Sequence, residues 1–275
     1  MSVRQRTIVA LLVALATLLP AATAQAASRS DGSKPASAKL TRLVTHVPVK
    51  TLDRIGSGAA SRSAYALKSA PLHSGEKPVL LTVNMAWCPH CAANSWALAI
   101  ALSRFGKLTG LRTLDTGTLY ATKYHANPSY PHTPGLSFFG AKYSSSYLRL
   151  RSVVMQDLKG KSLQALGSRE REAIEPFDPQ LAVPAISVGG AYGYLGSKYS
   201  PQALAHKSPL RIARALADPA GALAHQIDGQ ANVLTAAICA VTKGRPVAVC
   251  SSPAVVSSAP VPEQLPAEEG EVVPA

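Results

Sequence analysis

Cys88 and Cys91 stand two residues apart in the run Trp87-Cys88-Pro89-His90-Cys91. Two thiols at that spacing can exchange with a disulfide: one attacks as thiolate, and the other reaches back to displace the bound partner. Cys88 is the expected attacker and Cys91 the resolving thiol. His90 would add a hydrogen-bond donor, and when protonated a positive charge, beside the Cys88 sulfur. Pro89 stiffens the turn and suits the first positions of a helix. The competing use of such a pair is half of a zinc site. Cys239 and Cys250 do not make a second C-x-x-C, and no histidine pair with ligand spacing lies near them, so redox chemistry is preferred.

The elements around the pair decide whether that chemistry is available. An apolar, β-branched run enters it and predicts a buried strand over 79–86. A long apolar run leaves it and predicts a helix over 91–105, stopped at Gly106. A thiol at a helix start meets unpaired N–H groups and the positive end of the macrodipole. The pKa of Cys88 should therefore fall below the free value of about 8.5. The helix carries a single charge, Arg104, so it must be covered on both faces, and Trp96, Ile100 and Leu102 read as core. Leu111 to Thr116 is the expected second strand, completing a right-handed β-α-β unit.

Residues 1–27 read as an export leader. Arg4 and Arg6 form its basic start, Ile8 to Leu19 its apolar core, and Ala24-Gln25-Ala26 its cleavage site. The core is shorter than the roughly 20 residues needed to span a bilayer, so cleavage near Ala26 or Ala27 is preferred to an anchor through residues 8–24. Export places the protein outside the cytoplasm, in the cell envelope or secreted, where four cysteines form two pairs. Cys239 and Cys250 are read as a structural disulfide, closing a loop of about a dozen residues and adding about 3 kcal/mol. The formal net charge of +13 suits anionic surroundings such as wall polymers or lipid headgroups, although a solvated basic surface is the plainer account. Nothing in the chain reads as a nucleic-acid motif.

Along the chain, residues 28–77 read as a spacer, a short amphipathic element over 40–57 and a basic loop. The main domain is expected over 78–250. Residues 117–135 form a Tyr-, His-, Pro- and Gly-rich loop whose tyrosines either line a groove or pack. His125 and His132 lie in it without a nearby carboxylate or cysteine to complete a metal set. Strands or a hairpin are expected over 137–155, and a charged helix over 157–175. Pro209 to Leu216 and Ala231 to Val241 should be helices, and residues 251–275 a disordered acidic tail. No metal or other cofactor is called for.

At Trp87-Cys88-Pro89-His90-Cys91 the sequence resembles the thioredoxin superfamily. Pro89-His90 is the dipeptide of the periplasmic oxidases that introduce disulfides, and Trp87 matches the tryptophan ahead of the first cysteine in thioredoxins. The resemblance extends to Leu181-Ala182-Val183-Pro184-Ala185-Ile186-Ser187-Val188-Gly189-Gly190, which is similar to the thioredoxin-fold loop whose proline is cis. A trans proline at the first residue of a strand fits the spacing equally well; beside the cysteine pair, cis is the expectation. Such a loop would expose a strand-like edge for a substrate peptide, with Trp87, Pro89, Val183 and Pro184 forming the binding surface. Ala191 to Leu195 would be the hairpin partner.

From about residue 45 to residue 250 the chain resembles an uncharacterised thioredoxin-like family of prokaryotic envelope proteins, a domain of unknown function. The residues that carry this include Trp96-Ala97-Leu98, Pro134 to Phe139, Tyr199-Ser200-Pro201 and Ala231-Asn232 through Cys239 to Cys250. The resemblance implies an α/β, thioredoxin-like fold with insertions between the second strand and the cis-proline strand, and a C-terminal helical extension. One departure matters: the buried acid that thioredoxins carry six positions before the first cysteine is here Thr82. The expected function is an exported thiol–disulfide oxidoreductase acting on thiol- or disulfide-bearing proteins with an unidentified electron partner. The alternatives are a non-enzymatic binding or scaffold protein with a static Cys88–Cys91 disulfide, and metal delivery through the reduced pair.

Overall fold

A computed structural model describes residues 30–124 and 130–263. The predicted leader, His125 and the last twelve residues of the predicted tail lie outside these spans. The chain opens with β1 (Lys34–Pro35), α1 (Ala38–Thr45) and α2 (Val49–Ile55), then β2 (Ser63–Ala66) and β3 (His73–Ser74). Residues 30–77 therefore do more than link. Asp31 is buried, with its carboxylate accepting from the hydroxyls of Ser33 and Ser137. Ser37 caps α1, whose Leu40 and Val44 enter the core.

β4 (Lys77–Asn84) is the centre of the main sheet. It leads into α3 (Pro89–Ser103), which is buried at Pro89 and from Cys91 through Leu102. A helix that is apolar on nearly every side needs cover all round, and α3 has it from α1, from the sheet and from elements further along the chain. Next come β5 (Gly106–Thr109), β6 (Arg112–Asp115), α4 (Leu119–Tyr124), β7 (Pro134–Ser137), β8 (Lys142–Ser145) and β9 (Arg149–Val154). After β9 lie α5 (Ser168–Glu172), β10 (Ala185–Val188), β11 (Tyr192–Leu195), α6 (Pro209–Ala215), α7 (Ala222–Val241), α8 (Val247–Cys250), α9 (Pro253–Ser257) and β12 (Val261–Glu263).

The result is a mixed α/β protein. Its main sheet runs β12-β2-β11-β10-β4, with β9 on the other side of β4 and β3 pairing the start of β4. β9 is parallel to β4, with Thr82 opposite Ser152; β10 is antiparallel to it, with Ile186 opposite Thr82. Two smaller sheets, β1-β6-β7 and β5-β8, flank α3. Among the described residues no helix is long and apolar enough to cross a membrane.

Several expectations change. Leu111 to Thr116 supplies β6, but β6 pairs with β1 and β7, not beside β4. The strand that completes the parallel unit is β9, whose Val153 and Val154 can be buried where the Arg112-Thr113-Leu114-Asp115 run cannot. The inserted elements β5 to β8 and α4 consequently precede the second strand of the sheet; none falls between it and β10. The helix expected over 157–175 shrinks to α5, because glycines at 160 and 167 interrupt it. Gly106 opens β5 after α3 has ended at Arg104. Within the expected tail, α9 buries Ala254 and Val255, and β12 pairs in parallel with β2.

Candidate functional site

The turn between β4 and α3 is pinned from outside itself. Ala86 donates its N–H to Gln156 O at 2.9 Å, and Trp87 Nε1 donates to Gln156 Oε1 at 2.8 Å. Trp87 is only 1% exposed, so it anchors the turn to the residue just past β9 and offers no surface to a peptide. Pro89 sits at the first helical position and is also buried. These burials correct the expectation that both residues form a binding surface.

Cys88 is the N-cap of α3. Its Sγ accepts the Cys91 N–H at 3.2 Å, one of the orphan donors of the helix start. Its thiol also lies 3.7 Å from the carbonyl oxygen of Val183. Both cysteines are free thiols, and both are buried, Cys88 at 3% and Cys91 at 5% exposure. Burial pushes the Cys91 thiol well above its ordinary range, and its hydrogen bond and charge interaction with Cys88 push it further. Backbone donors at Met85 and Cys91 offset only part of this. Cys91 is accordingly protonated at neutral pH.

His90 turns away from the role expected of it. Its Nδ1 pairs with Ser197 Oγ at 3.0 Å, and that hydroxyl donates to Tyr199 O at 2.7 Å. The serine proton is thus committed, and Nδ1 must be the donor. Burial lowers the His90 pKa, so the ring is neutral at pH 7 and lends Cys88 no positive charge. Its ring meets Tyr130 edge-on at 5.4 Å and Tyr120 at 6.2 Å. Ser197 follows the Gly196 turn more than a hundred residues downstream, and no local sequence signal marks it.

The Val183–Pro184 bond is cis, and the Val183 carbonyl faces the cysteine pair. Pro184 is buried and the β10 that follows it lies between β4 and β11, while Ala182 is exposed and Val183 half-buried just ahead of the proline. Val183, Met85, Leu119 and Tyr120 pack over Trp87, Cys88 and Cys91. Of the tyrosines of the 117–135 loop, Tyr120 thus reaches the pair, and Tyr130 stands behind it against His90. Cys239 and Cys250 are bonded, with Cα atoms 5.5 Å apart, joining the end of α7 to α8. His132 pairs with Asp115 at 3.2 Å, and among the described residues no group of three or more His, Cys, Asp or Glu side chains could hold a metal.

Fold and site together define a mixed α/β protein with an unbonded dithiol at the start of its central helix. Residues 63–179 match the model of a family described as "Domain of unknown function (DUF929)". That span holds β2 through α5 and both free cysteines, and ends before Val183 and Pro184. No curated protein and no solved structure matches the chain.

Proposed function

We propose that the chain is an exported thiol–disulfide oxidoreductase on a thioredoxin-like fold, exchanging disulfides with envelope or secreted proteins through Cys88 and Cys91. The observation that carries this is the pair of unbonded thiols at one helix start, with the Cys91 N–H directed at Cys88 Sγ. Thiolate is the form that attacks a disulfide, and a helix start is where a sulfur meets unpaired N–H donors. The strand-turn-helix setting of the pair and the Val183 carbonyl opposite Cys88 support the fold reading. Export rests on the leader-like residues 1–27, and contact with anionic envelope polymers on the net charge.

In the reducing direction, the Cys88 thiolate attacks one sulfur of a client disulfide. The client S–S bond breaks, a Cys88–client bond forms, and the other client sulfur leaves as thiolate and takes a proton from solvent. Cys91 then loses its proton and attacks Cys88 Sγ, expelling the second client thiolate. Two electrons have passed to the client, and the pair is a disulfide. Oxidation of a client runs the same steps backwards, and a separate electron acceptor or donor resets the pair.

The test is trapping. Cys91→Ala removes the resolving thiol, so mixed disulfides with envelope proteins should accumulate through Cys88 and vanish in Cys88→Ala. If no adduct forms where a known oxidase traps its partners, this function is wrong. The burial of both sulfurs favours a second reading, a binding or scaffold protein whose pair is static. The reduction potential separates the two: about −120 to −200 mV marks a catalytic pair, and a value below about −300 mV a structural one.

A further inference from the structure

Behind Cys91 lies a cavity of about 20 Å³, walled by α3, β4, β7 and β9. One water needs roughly 10–15 Å³ and two to four polar partners. The polar lining is Cys91 itself with Asn84, Ser95, Ser137 and Ser152. Ser95 Oγ donates to Ala92 O at 2.6 Å and accepts from Leu136 N at 2.8 Å, and Ser137 Oγ donates to Asp31 and accepts from Phe139 N. Each of these two keeps a lone pair. Asn84 Nδ2 donates to Thr82 Oγ1 at 3.0 Å, which leaves its second N–H and its amide oxygen. Ser152 Oγ is buried and has no hydrogen-bond partner among the described residues. A buried hydroxyl in that condition is unfavourable unless a partner is supplied.

Register places this hydroxyl where it matters. Ser152 on β9 lies directly opposite Thr82 on β4, the position at which the chain lacks an acid. Cys91 is held protonated by its burial, and something must take its proton when it attacks. Among the residues lining the cavity none is a carboxylate or a histidine.

We propose that the cavity binds one water molecule, held by Ser152 Oγ and Cys91 Sγ, and that this water carries the Cys91 proton during resolution. The inference rests on the oxidoreductase reading for its use, but on the cavity and Ser152 for its existence. In the step itself, Cys91 Sγ bonds to Cys88 Sγ and the Cys88–client S–S bond breaks. The client sulfur leaves with the electron pair as thiolate. The Cys91 proton passes to the water and on to solvent past Asn84, a half-buried polar member of the lining, and the departing thiolate takes a proton from solvent.

The experiment loads Cys88 of the full chain with thionitrobenzoate as a mixed disulfide and follows its release by Cys91 across the neutral and alkaline range. Ser152→Ala should slow release at neutral pH by about tenfold or more, with the loss disappearing as alkaline pH ionises Cys91 directly. Ser152→Thr, which keeps the hydroxyl, should release like wild type. Equal rates for Ser152→Ala and wild type overturn the relay, and so does a loss of the same size at every pH, which marks a packing defect. A crystal structure of the reduced protein tests the site without any reaction: a water within hydrogen-bonding distance of Ser152 Oγ is expected, and none there overturns it. A wild-type chain that takes up no label at Cys88 counts against the oxidoreductase function, and the crystallographic result then decides the water site alone.

Discussion

A thiol that is 3% exposed reacts only when its cover moves, and over Cys88 that cover is Met85, Leu119, Tyr120 and Val183. Tyr120 has the most to decide. Its ring lies 6.3 Å from Trp87, 6.2 Å from His90 and 6.4 Å from Tyr130, so it joins the anchored turn to the loop beyond. Tyr120→Ala removes the ring without touching either sulfur. Alkylation of Cys88 by iodoacetamide at neutral pH should then run about tenfold faster, since reactivity follows exposure once the thiolate is available. Cys91, also buried and held protonated, should stay slow in both proteins. An unchanged Cys88 rate means that Tyr120 is not what limits access. A rise at both sulfurs equally means that the substitution has loosened the helix start as a whole. Because His90 is neutral, neither rate should show an inflection from an imidazolium at pH 7.

At the scale of elements, the pair depends on how closely β7 lies against α3. Gly135 is the reason the two can touch there: a Cβ at this position would come within 2.6 Å of Ala92 Cβ and 2.7 Å of Ala92 Cα. Ala92 follows Cys91 directly, so Gly135→Ala presses on the first turn of α3. Overpacking of this kind costs about 1–3 kcal/mol, read as a lowered midpoint in urea. It should also disturb the Cys91 N–H to Cys88 Sγ bond, seen as a shift of the Cys91 amide resonance. These elements differ in how far the sequence revealed them. β4 and α3 are legible because each is buried along most of its length and so carries a mainly apolar run, and the turn chemistry between them is local. Cys239 and Cys250 are legible as a pair by their spacing. What cannot be read locally is partnership. β6 and β9 both look like short, half-polar strands, and only the burial of Val153 and Val154 assigns β9 to β4. The bond from His90 to Ser197 and the pairing of β12 with β2 likewise join residues too far apart in the chain for any pattern to show. Asp31 looked like spacer because one buried carboxylate among Ser and Gly leaves no apolar signal.

Across the whole molecule, α7 is the member that ties the ends to the centre. It packs on α3, α2, α6 and α9, and Cys239 staples its last turn to α8. Asn232 donates to the carbonyls of Leu52 and Gly56 and accepts from Arg104, joining α2 to α3 through α7. One turn earlier sits Asp228, fully buried, with neither carboxylate oxygen hydrogen-bonded among the described residues. Burial raises its pKa to about 8, so it is carried through the neutral range as the uncharged acid. The sign of the linkage follows. In the unfolded chain Asp228 ionises near its ordinary value of 3.8, whereas the folded chain holds the proton. Below the unfolded value the group favours neither state. Between there and pH 8 the unfolded state gains by ionising, and folding stability falls steadily with rising pH; above 8 the loss is complete and constant. Asp228→Asn keeps the shape and removes the titration. It should therefore be no more stable than the wild type in acid but increasingly more stable from about pH 4 to about pH 8, by several kcal/mol at the upper end. Urea unfolding at a series of pH values measures the difference directly. A difference independent of pH would mean that Asp228 is ionised in the fold and has found a cation or donor.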